Sequence, residues 1–380
     1  MAEGLRIGTP RRECHRVGPP INGLVIQAPY DRPMLSQATR HGLIRAGFAA
    51  IDAVRADRWL APAARGRGVI LTFHHVRPEG PGDGFAPNRL LSVTPDFLDR
   101  ALGLVRARGF EIVPLDAVPD RLASRGQPFV ALTFDDGYRD NLAHAAPVLT
   151  RHGAPWTLFV TSDFADGRGR LWWIELEEAV RRLDRVTAAG LDLPSRDAAE
   201  KSAAFAALYR RLRAGPEETL LKTIAGLARQ AGIESEWLVG ELCLGWGEIA
   251  GLARAGVAIG AHTVAHPMLA KHDAARARRE IVEGRARIEA RLGQPVRHLA
   301  YPVGDPGSAG QREFALAREA GFATAVTTRP GHLFPAHRGH LHALPRVSVN
   351  GLFQSEAALG ALLSGVPFLA WNRGRRVNVS

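Results

Sequence analysis

Short apolar runs alternate with amphipathic segments along most of this chain. Each run is continuous and only a few residues long, which is typical of a β-strand that is covered on both faces. Between the runs, apolar residues recur at helical spacing, as over residues 94–109 and 274–292. This alternation predicts a mainly parallel α/β sheet or barrel. The predicted strands are Gly68–Phe73, Phe110–Pro114, Phe129–Phe134, Trp156–Thr161, Gly256–Ala261, Val296–Ala300, Phe322–Thr327 and Leu344–Val349.

The alternation stops between about residues 171 and 240, where the pattern becomes helical. Helices are expected there at 175–186, 198–213 and 216–231, which together form a helical insertion. Trp172 and Trp173 stand at its root, and core packing is favoured over a binding groove because aromatic side chains dominate cores.

The two ends of the chain differ from its middle. Residues 1–35 contain several prolines and are expected to have little order, and residues 36–60 have the spacing of an amphipathic helix. We therefore expect a lead-in over residues 1–65, a main domain over 66–350 with its insertion at about 171–240, and a C-terminal extension over 351–380.

Composition narrows the kinds of site that are available. The 380 residues, 46% of them apolar, suffice for one large barrel or for two smaller domains. Cys14 and Cys243, the only cysteines, cannot form a disulfide framework or a thiolate cluster, so a metal would be held by His, Asp or Glu. No signal-peptide pattern occurs in Met1–Gln27, and no apolar run reaches the ~20 residues that a bilayer requires. A cytoplasmic protein without a membrane span is expected.

The formal net charge of +11 raises the question of an acidic partner such as nucleic acid. Nearly all of the positive charge is arginine spread over the whole chain, and no zinc-finger, aromatic RNA-binding or basic-helix pattern accompanies it. Nucleic acid is therefore not expected as a partner, although a nucleic-acid-binding protein is kept as a distant alternative.

Polar residues suited to catalysis follow several of the predicted strands. The carboxyl ends of parallel strands meet at one edge of a sheet or barrel, where ligands bind, so these residues are expected to lie close together. The alternative for the Asp-Asp-Gly sequence is a simple turn, because Asp-Gly is a common turn dipeptide. The residues are His74 and His75, Asp135 and Asp136, His262 and His266, and Tyr301.

A metal centre is the chemistry that these residue types favour. His262 and His266 are four residues apart, so on a helical turn both imidazoles would project from one side, although surface or capping roles are an alternative. Two imidazoles and one carboxylate leave positions open for water and substrate, as in catalytic sites for zinc and related ions. One aspartate of the pair would be the third ligand and the other would accept a proton from water. The spacing does not say which aspartate does which.

Three segments resemble the leading motifs of the polysaccharide deacetylases of the NodB-homology type, carbohydrate esterase family four. They are Thr133–Tyr138, His262–Pro267 and Ala300–Gly304, and the resemblance covers roughly residues 66–350 apart from the insertion. It implies a distorted (β/α) barrel with about seven strands. It also implies Asp135 as the general base, a divalent cation held by Asp136, His262 and His266, and an oxyanion stabilised by that cation and by the backbone N–H of Tyr301. Zn²⁺ is the expected cation, with Co²⁺ or Ni²⁺ as alternatives.

The chain departs from the family pattern at the general acid. The late Leu-x-Leu-x-His motif, which supplies the acid in many members, is not evident around His332, His340 and His342. Phe73-His74-His75-Val76 instead resembles the Tyr-His-x-Val element of the circularly permuted branch of the family. This resemblance implies His74 as the acid that protonates the leaving amine, with His75 as the second choice and a structural role for either histidine as the alternative.

A second departure concerns the arginine that orients the base. Many members carry it just before the proline of the third motif, where this chain has Ala300-Tyr301-Pro302. Arg346, in Leu-Pro-Arg-Val, is the substitute we expect, because a guanidinium can hold the Asp135 carboxylate through two hydrogen bonds. An ion pair at the surface is the alternative.

These features predict a metal-dependent hydrolase that removes N-acetyl groups from the amino sugars of an oligo- or polysaccharide, of the chitooligosaccharide deacetylase type. The alternative is a catalytically inactive carbohydrate-binding protein on the same scaffold. The complete Asp-Asp and His-x-x-x-His sets favour the enzyme, because a degenerate site usually lacks a ligand or the base.

Overall fold

Parallel strands that close into a barrel form the centre of the molecule. The computed structural model describes residues 37–80, 82 and 84–379. The predicted lead-in over residues 1–35, the segment searched for a signal peptide and Cys14 lie outside the described residues.

The secondary structure follows the predicted alternation closely. The helices are α1 (Gln37–Ala53), α2 (Ala56–Trp59), α3 (Ala61–Ala64), α4 (Pro95–Ala107), α5 (Val118–Ala123), α6 (Ala146–Arg151), α7 (Ser162–Ala165), α8 (Trp172–Arg182), α9 (Ala198–Ala214), α10 (Glu217–Gln230), α11 (Ser235–Leu242), α12 (Trp246–Arg254), α13 (Ala274–Leu292), α14 (Gln311–Glu319), α15 (Glu356–Ser364) and α16 (Val366–Trp371). The strands are β1 (Gly68–Phe73), β2 (His75–Val76), β3 (Ser92–Val93), β4 (Glu111–Ile112), β5 (Phe129–Phe134), β6 (Trp156–Val160), β7 (Arg185–Ala188), β8 (Leu191–Pro194), β9 (Ala258–Ala261), β10 (His298–Ala300), β11 (Thr324–Pro330) and β12 (Leu344–Ser348).

The barrel has seven parallel strands, in agreement with the predicted fold. Their order around the barrel is β1, β12, β11, β10, β9, β6 and β5, and the pairing of β1 with β5 closes it. That pairing runs in register from Gly68 opposite Phe129 to Phe73 opposite Phe134. The short strand β4 pairs with β5 at Phe129 and Val130, while β6 pairs with it from Leu132 onward. The two strands therefore share one edge of β5, and β4 fills the gap below β6.

Alternation along the strands divides the core into two layers. The side chains of β5 alternate between two hydrophobic clusters. One cluster includes the surrounding helices and contains Val130, Leu132 and Phe134 of β5. The other is formed with residues of other strands and contains Phe129 and Ala131. Since successive strand residues face opposite sides, the second cluster is the barrel interior. The same alternation carries Thr133 and Asp135 toward the interior at the carboxyl end of β5.

The inserted segment forms a helical lobe, which we define as residues 171–242. It contains α8 to α11 and has a hydrophobic core of its own, to which Trp172 and Trp173 belong with 4% and 6% of their surface exposed. Core packing is thus what the structure shows for both tryptophans. Tyr138, Phe164 and Met268, which lie outside the lobe, complete this core and join the lobe to the barrel.

One prediction for the lobe is wrong. The helix expected over residues 175–186 ends at Arg182, and an antiparallel hairpin of β7 and β8 follows. Ala189 and Gly190, the two residues between these strands, have φ values of 53° and 76°. Two positive φ values in succession are typical of the tight turn that matches the twist of a two-stranded hairpin. The strands are too short for their alternation to stand out beside helical neighbours.

Helices from both ends of the sequence pack together on the outside of the barrel. The helix predicted over residues 36–60 occurs as α1 and α2, and α15 packs against α1, α2 and α4. The domain limits at residues 66 and 350 stay a prediction. Within the described ranges, no helix is long and apolar enough to cross a membrane.

Candidate active site

The Asp-Asp-Gly sequence at the end of β5 forms a strained turn that carries buried carboxylates. The Asp135 N–H donates to the Phe73 carbonyl at 3.0 Å, which continues the sheet by one residue. Asp136 then has a φ of 71°, in the left-handed region that non-glycine residues rarely adopt. Such a conformation costs of order 1–3 kcal/mol and persists where the surroundings impose it, commonly at functional sites. The Asp-Asp-Gly sequence is therefore a turn and also part of the candidate site.

Asp135 is held by Arg346, which reaches it from β12. Two hydrogen bonds join the guanidinium to the carboxylate, Nη1 to Oδ1 at 2.7 Å and Nη2 to Oδ2 at 2.6 Å. Nε of Arg346 donates to the Thr327 carbonyl at 2.9 Å, so the guanidinium is fixed on a second side. Only 1% of Arg346 and 2% of Asp135 is exposed, which excludes a surface ion pair. Burial raises the pKa of Asp135, but the charge and hydrogen bonds of Arg346 outweigh it and leave the pKa below its usual value.

Asp136, His262 and His266 meet at the carboxyl ends of β5 and β9. Oδ1 of Asp136 lies 3.3 Å from Nε2 of His262 and 3.3 Å from Nε2 of His266. All three side chains are buried, and one ligand atom from each lies within 4.8 Å of the others. Burial raises the pKa of Asp136, but the two histidines lower it well below its usual value. Burial lowers the pKa of His262, and the two nearby aspartates reverse the shift, so that the net change is upward.

These three residues fit a divalent cation. Two ligand atoms that are each about 2.0–2.1 Å from one zinc ion at a tetrahedral angle lie roughly 3.3 Å apart, which is the spacing found here. Nδ1 of His262 donates to the Ala300 carbonyl at 2.7 Å, which fixes the ring and leaves Nε2 as a lone-pair donor. Oδ1 of Asp136 is buried without a hydrogen-bond partner among the described residues. A cation would supply the missing interaction.

The segment that carries the two histidines is a loop after β9, not the helical turn on which a spacing of four residues would place both imidazoles on one side. Thr263 and His266 both have left-handed backbones, with φ values of 67° and 59°. The His266 N–H donates to Oγ1 of Thr263 at 3.1 Å, which closes the turn. The spacing of four residues brings the imidazoles together through this turn instead of through one turn of helix.

Helix α13 supports this loop at two points. Oε2 of Glu280 accepts hydrogen bonds from the N–H groups of Val264 at 3.1 Å and Ala265 at 3.0 Å. One turn further on, Gly284 faces the Thr263 backbone so closely that a Cβ atom there would lie 2.7 Å from the Thr263 carbonyl carbon. A glycine inside a long helix is unfavourable by itself, so its place here is explained by the close approach of the loop.

Replacing Gly284 by Ala should therefore weaken both the fold and the cation site. The added methyl group must push the Thr263 backbone away, and overpacking of this kind typically costs about 1–3 kcal/mol. Displacement of groups that orient metal ligands typically lowers metal affinity about 10–100-fold. Denaturant unfolding and competition with a zinc chelator measure the two effects. Gly103→Ala in α4 is the matched control, because a Cβ atom there has no neighbour within 4 Å. Equal stability and zinc affinity in the two variants would contradict this account of the loop.

His74 and His75, which follow β1, have different surroundings. His74 lies near both carboxylates of the site: burial lowers its pKa, and Asp136 and Asp135 raise it without cancelling the decrease. His75 is buried, its Nδ1 is 2.6 Å from Oδ2 of Asp140, and its ring stacks on Tyr138 at a centroid distance of 3.5 Å. His74 is thus the histidine that the structure brings to the two aspartates.

Tyr301 does not present its N–H group to the site. That N–H donates to the Val326 carbonyl in the sheet at 3.2 Å, which argues against the predicted role in stabilising an oxyanion. Its hydroxyl group donates to the His342 carbonyl at 2.8 Å. Pro302 has no N–H, and the Gly304 N–H donates to the Pro302 carbonyl at 2.6 Å. Of the residues Tyr301–Gly304, Val303 is therefore the one whose N–H group has no hydrogen-bond partner among the described residues.

The three C-terminal histidines are not part of the site. His332 is buried, and its Nε2 bonds to the Leu362 carbonyl at 2.8 Å. His342 uses Nε2 for the Phe322 carbonyl at 2.8 Å, and His340 is exposed. These environments leave His74 as the remaining candidate for the acid.

The lobe also contributes a wall to the site through Trp173, for which the sequence favoured core packing over a binding groove. The Trp173 ring packs against the His266 ring at a centroid distance of 5.0 Å, and its Nε1 donates to the Tyr138 hydroxyl at 3.1 Å. The sequence contains one indication of a further residue at the site. Tyr138 directly follows the Asp-Asp-Gly sequence, and its hydroxyl group needs a hydrogen-bond partner when it is buried. The sequence could not show that this partner comes from the insertion.

The fold and the site define a (β/α) barrel protein with a candidate cation-binding group beside a paired carboxylate at the carboxyl ends of its strands. Residues 123–325 match the polysaccharide deacetylase family. This match covers more than half of the 380 residues, and the chain belongs to that family. The resemblance found in the sequence is thereby confirmed.

Solved structures of similar fold include that of the Streptococcus pyogenes deacetylase PplD in complex with acetate. It is 18% identical, the match covers 74% of this chain and 92% of that chain, and the TM-score is 0.50. The structure of IcaB from Ammonifex degensii is also 18% identical, with 78% of this chain and 97% of that chain covered and a TM-score of 0.48. The likeness to PplD supports the shared fold alone. No curated protein matches the sequence.

Proposed function

We propose that this protein is a metal-dependent hydrolase that removes N-acetyl groups from the amino sugars of an oligo- or polysaccharide. The observation that carries the proposal is the buried Asp135–Arg346 pair beside the Asp136, His262 and His266 group. One carboxylate is positioned and kept ionised by a guanidinium, while the other faces two imidazoles. This division is what a hydrolase needs when it uses a base together with a cation.

In the proposed reaction, water attacks the carbonyl carbon of the acetamide group. Asp135 accepts the proton from that water, and Arg346 holds the carboxylate in the geometry for doing so. A divalent cation on Asp136, His262 and His266, Zn²⁺ in our proposal, would supply Lewis-acid polarisation and a lower pKa for water.

The carbon–nitrogen bond then breaks, and the leaving nitrogen requires a proton. We assign its delivery to His74, because Asp135 and Asp136 both act on its imidazole, whereas His75 is held by Asp140. The products are acetate and the free amine of the sugar. We assign the Val303 N–H, instead of that of Tyr301, to stabilise the oxyanion that forms during the attack.

An N-acetylated glycan is the substrate that family membership favours. PplD, which shares the fold, is described as a deacetylase in complex with acetate. Acetate is the acid product of the proposed reaction.

The test is acetate release from a panel of N-acetylated glycans, with metal content measured on the same preparation. We expect acetate release with about one divalent ion per chain, and loss of both in His262→Ala. Stoichiometric zinc in His262→Ala would rule out the ligand role. Tight glycan binding by the wild-type protein without acetate release from any glycan would favour the inactive carbohydrate-binding protein instead.

A further inference from the structure

A second cavity, separate from the catalytic site, lies between the barrel and the lobe. Its volume is about 1300 Å³, and it is bounded by described residues within 77–80, 82 and 84–94, by α8 and by α11. Arg77 and the residues just after it follow β1 and β2 at the carboxyl ends of the strands, so the cavity opens on the same face of the barrel as the candidate site. We call it the lobe cavity.

A thin aromatic wall separates the lobe cavity from the Asp-His-His group. His75 borders the cavity, and its ring stacks on buried Tyr138. Tyr138 is hydrogen-bonded to Trp173, whose ring packs against His266 on the other side. A ligand that occupied both sites would therefore extend past this wall. The cavity exceeds the roughly 300–1,000 Å³ of most small-molecule sites, which suits an extended ligand.

The lining of the lobe cavity carries balanced charge, although the whole chain has a formal net charge of +11. Its described residues include four arginines and four glutamates, Arg77, Arg89, Arg181, Arg182, Glu79, Glu177, Glu178 and Glu234. Several of them pair with one another, as Arg89 does with Glu79 at 2.9 Å. This balance does not favour an anionic polymer. The paired side chains still offer N–H donors and carboxylate oxygens to hydroxyl groups.

Trp237 gives the lobe cavity a flat apolar surface. It lies on α11 with 61% of its surface exposed, beside Leu238 and Ile233, which also line the cavity. An indole face stacks well on the apolar face of a sugar ring, while hydroxyl groups at the ring edge reach polar neighbours. Balanced polar groups around an exposed indole thus favour a neutral polyhydroxylated ligand.

We propose that the lobe cavity binds the part of an N-acetylated glycan that lies several sugars away from the reacting acetamide, with Trp237 as a stacking surface. That the ligand is an N-acetylated glycan rests on the proposed function. That Trp237 stacks on a sugar ring rests on the lining of the lobe cavity alone. Loss of this contact lowers the efficiency of long substrates and leaves short ones unaffected.

The experiment compares Trp237→Ala with Trp59→Ala in the full chain. Trp59 is equally exposed, at 64%, but does not line the lobe cavity, so its variant is the matched control. The probes are β-1,4-linked N-acetylglucosamine oligomers of two and six sugars, together with two lengths of any other glycan that releases acetate. We expect kcat/KM of Trp237→Ala to fall about five- to tenfold for the long oligomer, through KM, and to stay unchanged for the short one. Trp59→Ala should match the wild-type protein for both.

Calorimetry of hexamer binding to Asp135→Asn, with and without Trp237→Ala, gives a readout that does not require turnover. A five- to tenfold weaker Kd in the double variant supports the lobe cavity even if no glycan releases acetate, in which case only the proposed function fails. Equal effects of Trp237→Ala on short and long oligomers, or no effect on either activity or binding, would overturn the inference and leave the proposed function standing.

Discussion

Replacing Asp135 by Asn should abolish turnover and leave the cation site intact. The amide keeps the size of the carboxylate and its oxygen can still accept from Arg346, so the turn after β5 should retain its shape. The protein should lose stability, because the buried guanidinium lacks its counter-charge. The amide cannot accept a proton from water at neutral pH, and loss of a general base typically lowers kcat by about 10²–10⁴-fold. Acetate release measures the first effect, and metal analysis of the same preparation measures the second.

Asp136→Asn is the informative control for that variant. The two aspartates are adjacent and both are buried, yet only Asp136 faces His262 and His266. We expect Asp136→Asn to lose metal affinity together with activity, whereas Asp135→Asn loses activity alone. Retained acetate release in Asp135→Asn, or equal metal loss in the two variants, would exclude the division of roles proposed for the pair.

Strand positions were the part of this protein that the sequence predicted best. β1 and β5 have the predicted bounds, and both are buried along their whole length. Such strands are continuous apolar runs that end at polar residues, so their limits are visible in the sequence. The alternation within β5 also explains why Asp135 faces the barrel interior, where Arg346 of β12 can reach it.

The errors lie where backbone conformation depends on distant partners. The loop from His262 to His266 is shaped by Glu280 and Gly284 of α13, which follow it in sequence but contact it only after folding. Spacing alone therefore suggested a helical turn. The error in the role predicted for Tyr301 has the same cause. Its N–H group donates to a carbonyl of β11, and the pairing of strands cannot be predicted from one motif.

Replacing Arg346 by Met should destabilise the fold as well as the reaction. The variant leaves the Asp135 carboxylate buried without its partner, and removing one member of a buried ion pair typically costs about 3–5 kcal/mol. Denaturant unfolding measures this loss. Arg185→Met is a control, because Arg185 pairs with Asp192 at the surface and an exposed pair typically contributes below about 1 kcal/mol.

The pH dependence of Arg346→Met tests the cause of the effect. In the wild-type protein the pKa of Asp135 is lowered, so the carboxylate stabilises the fold above its unfolded pKa, and this contribution is lost as pH falls through the folded pKa. Without Arg346, burial dominates and the pKa rises above the unfolded value. The difference in the free energy of unfolding between the two proteins should therefore shrink as pH falls, and the acid limb of any residual activity should move to higher pH.

The double variant Asp135→Asn/Arg346→Met separates charge from packing. With the carboxylate removed, the loss of Arg346 no longer leaves a buried unpaired charge, so the double variant should be more stable than Arg346→Met alone while remaining inactive. A double variant as unstable as Arg346→Met would mean that the guanidinium acts mainly through its packing and its hydrogen bond to Thr327. Recovery of stability in the double variant would show that the unpaired buried carboxylate, and not lost packing, destabilises Arg346→Met.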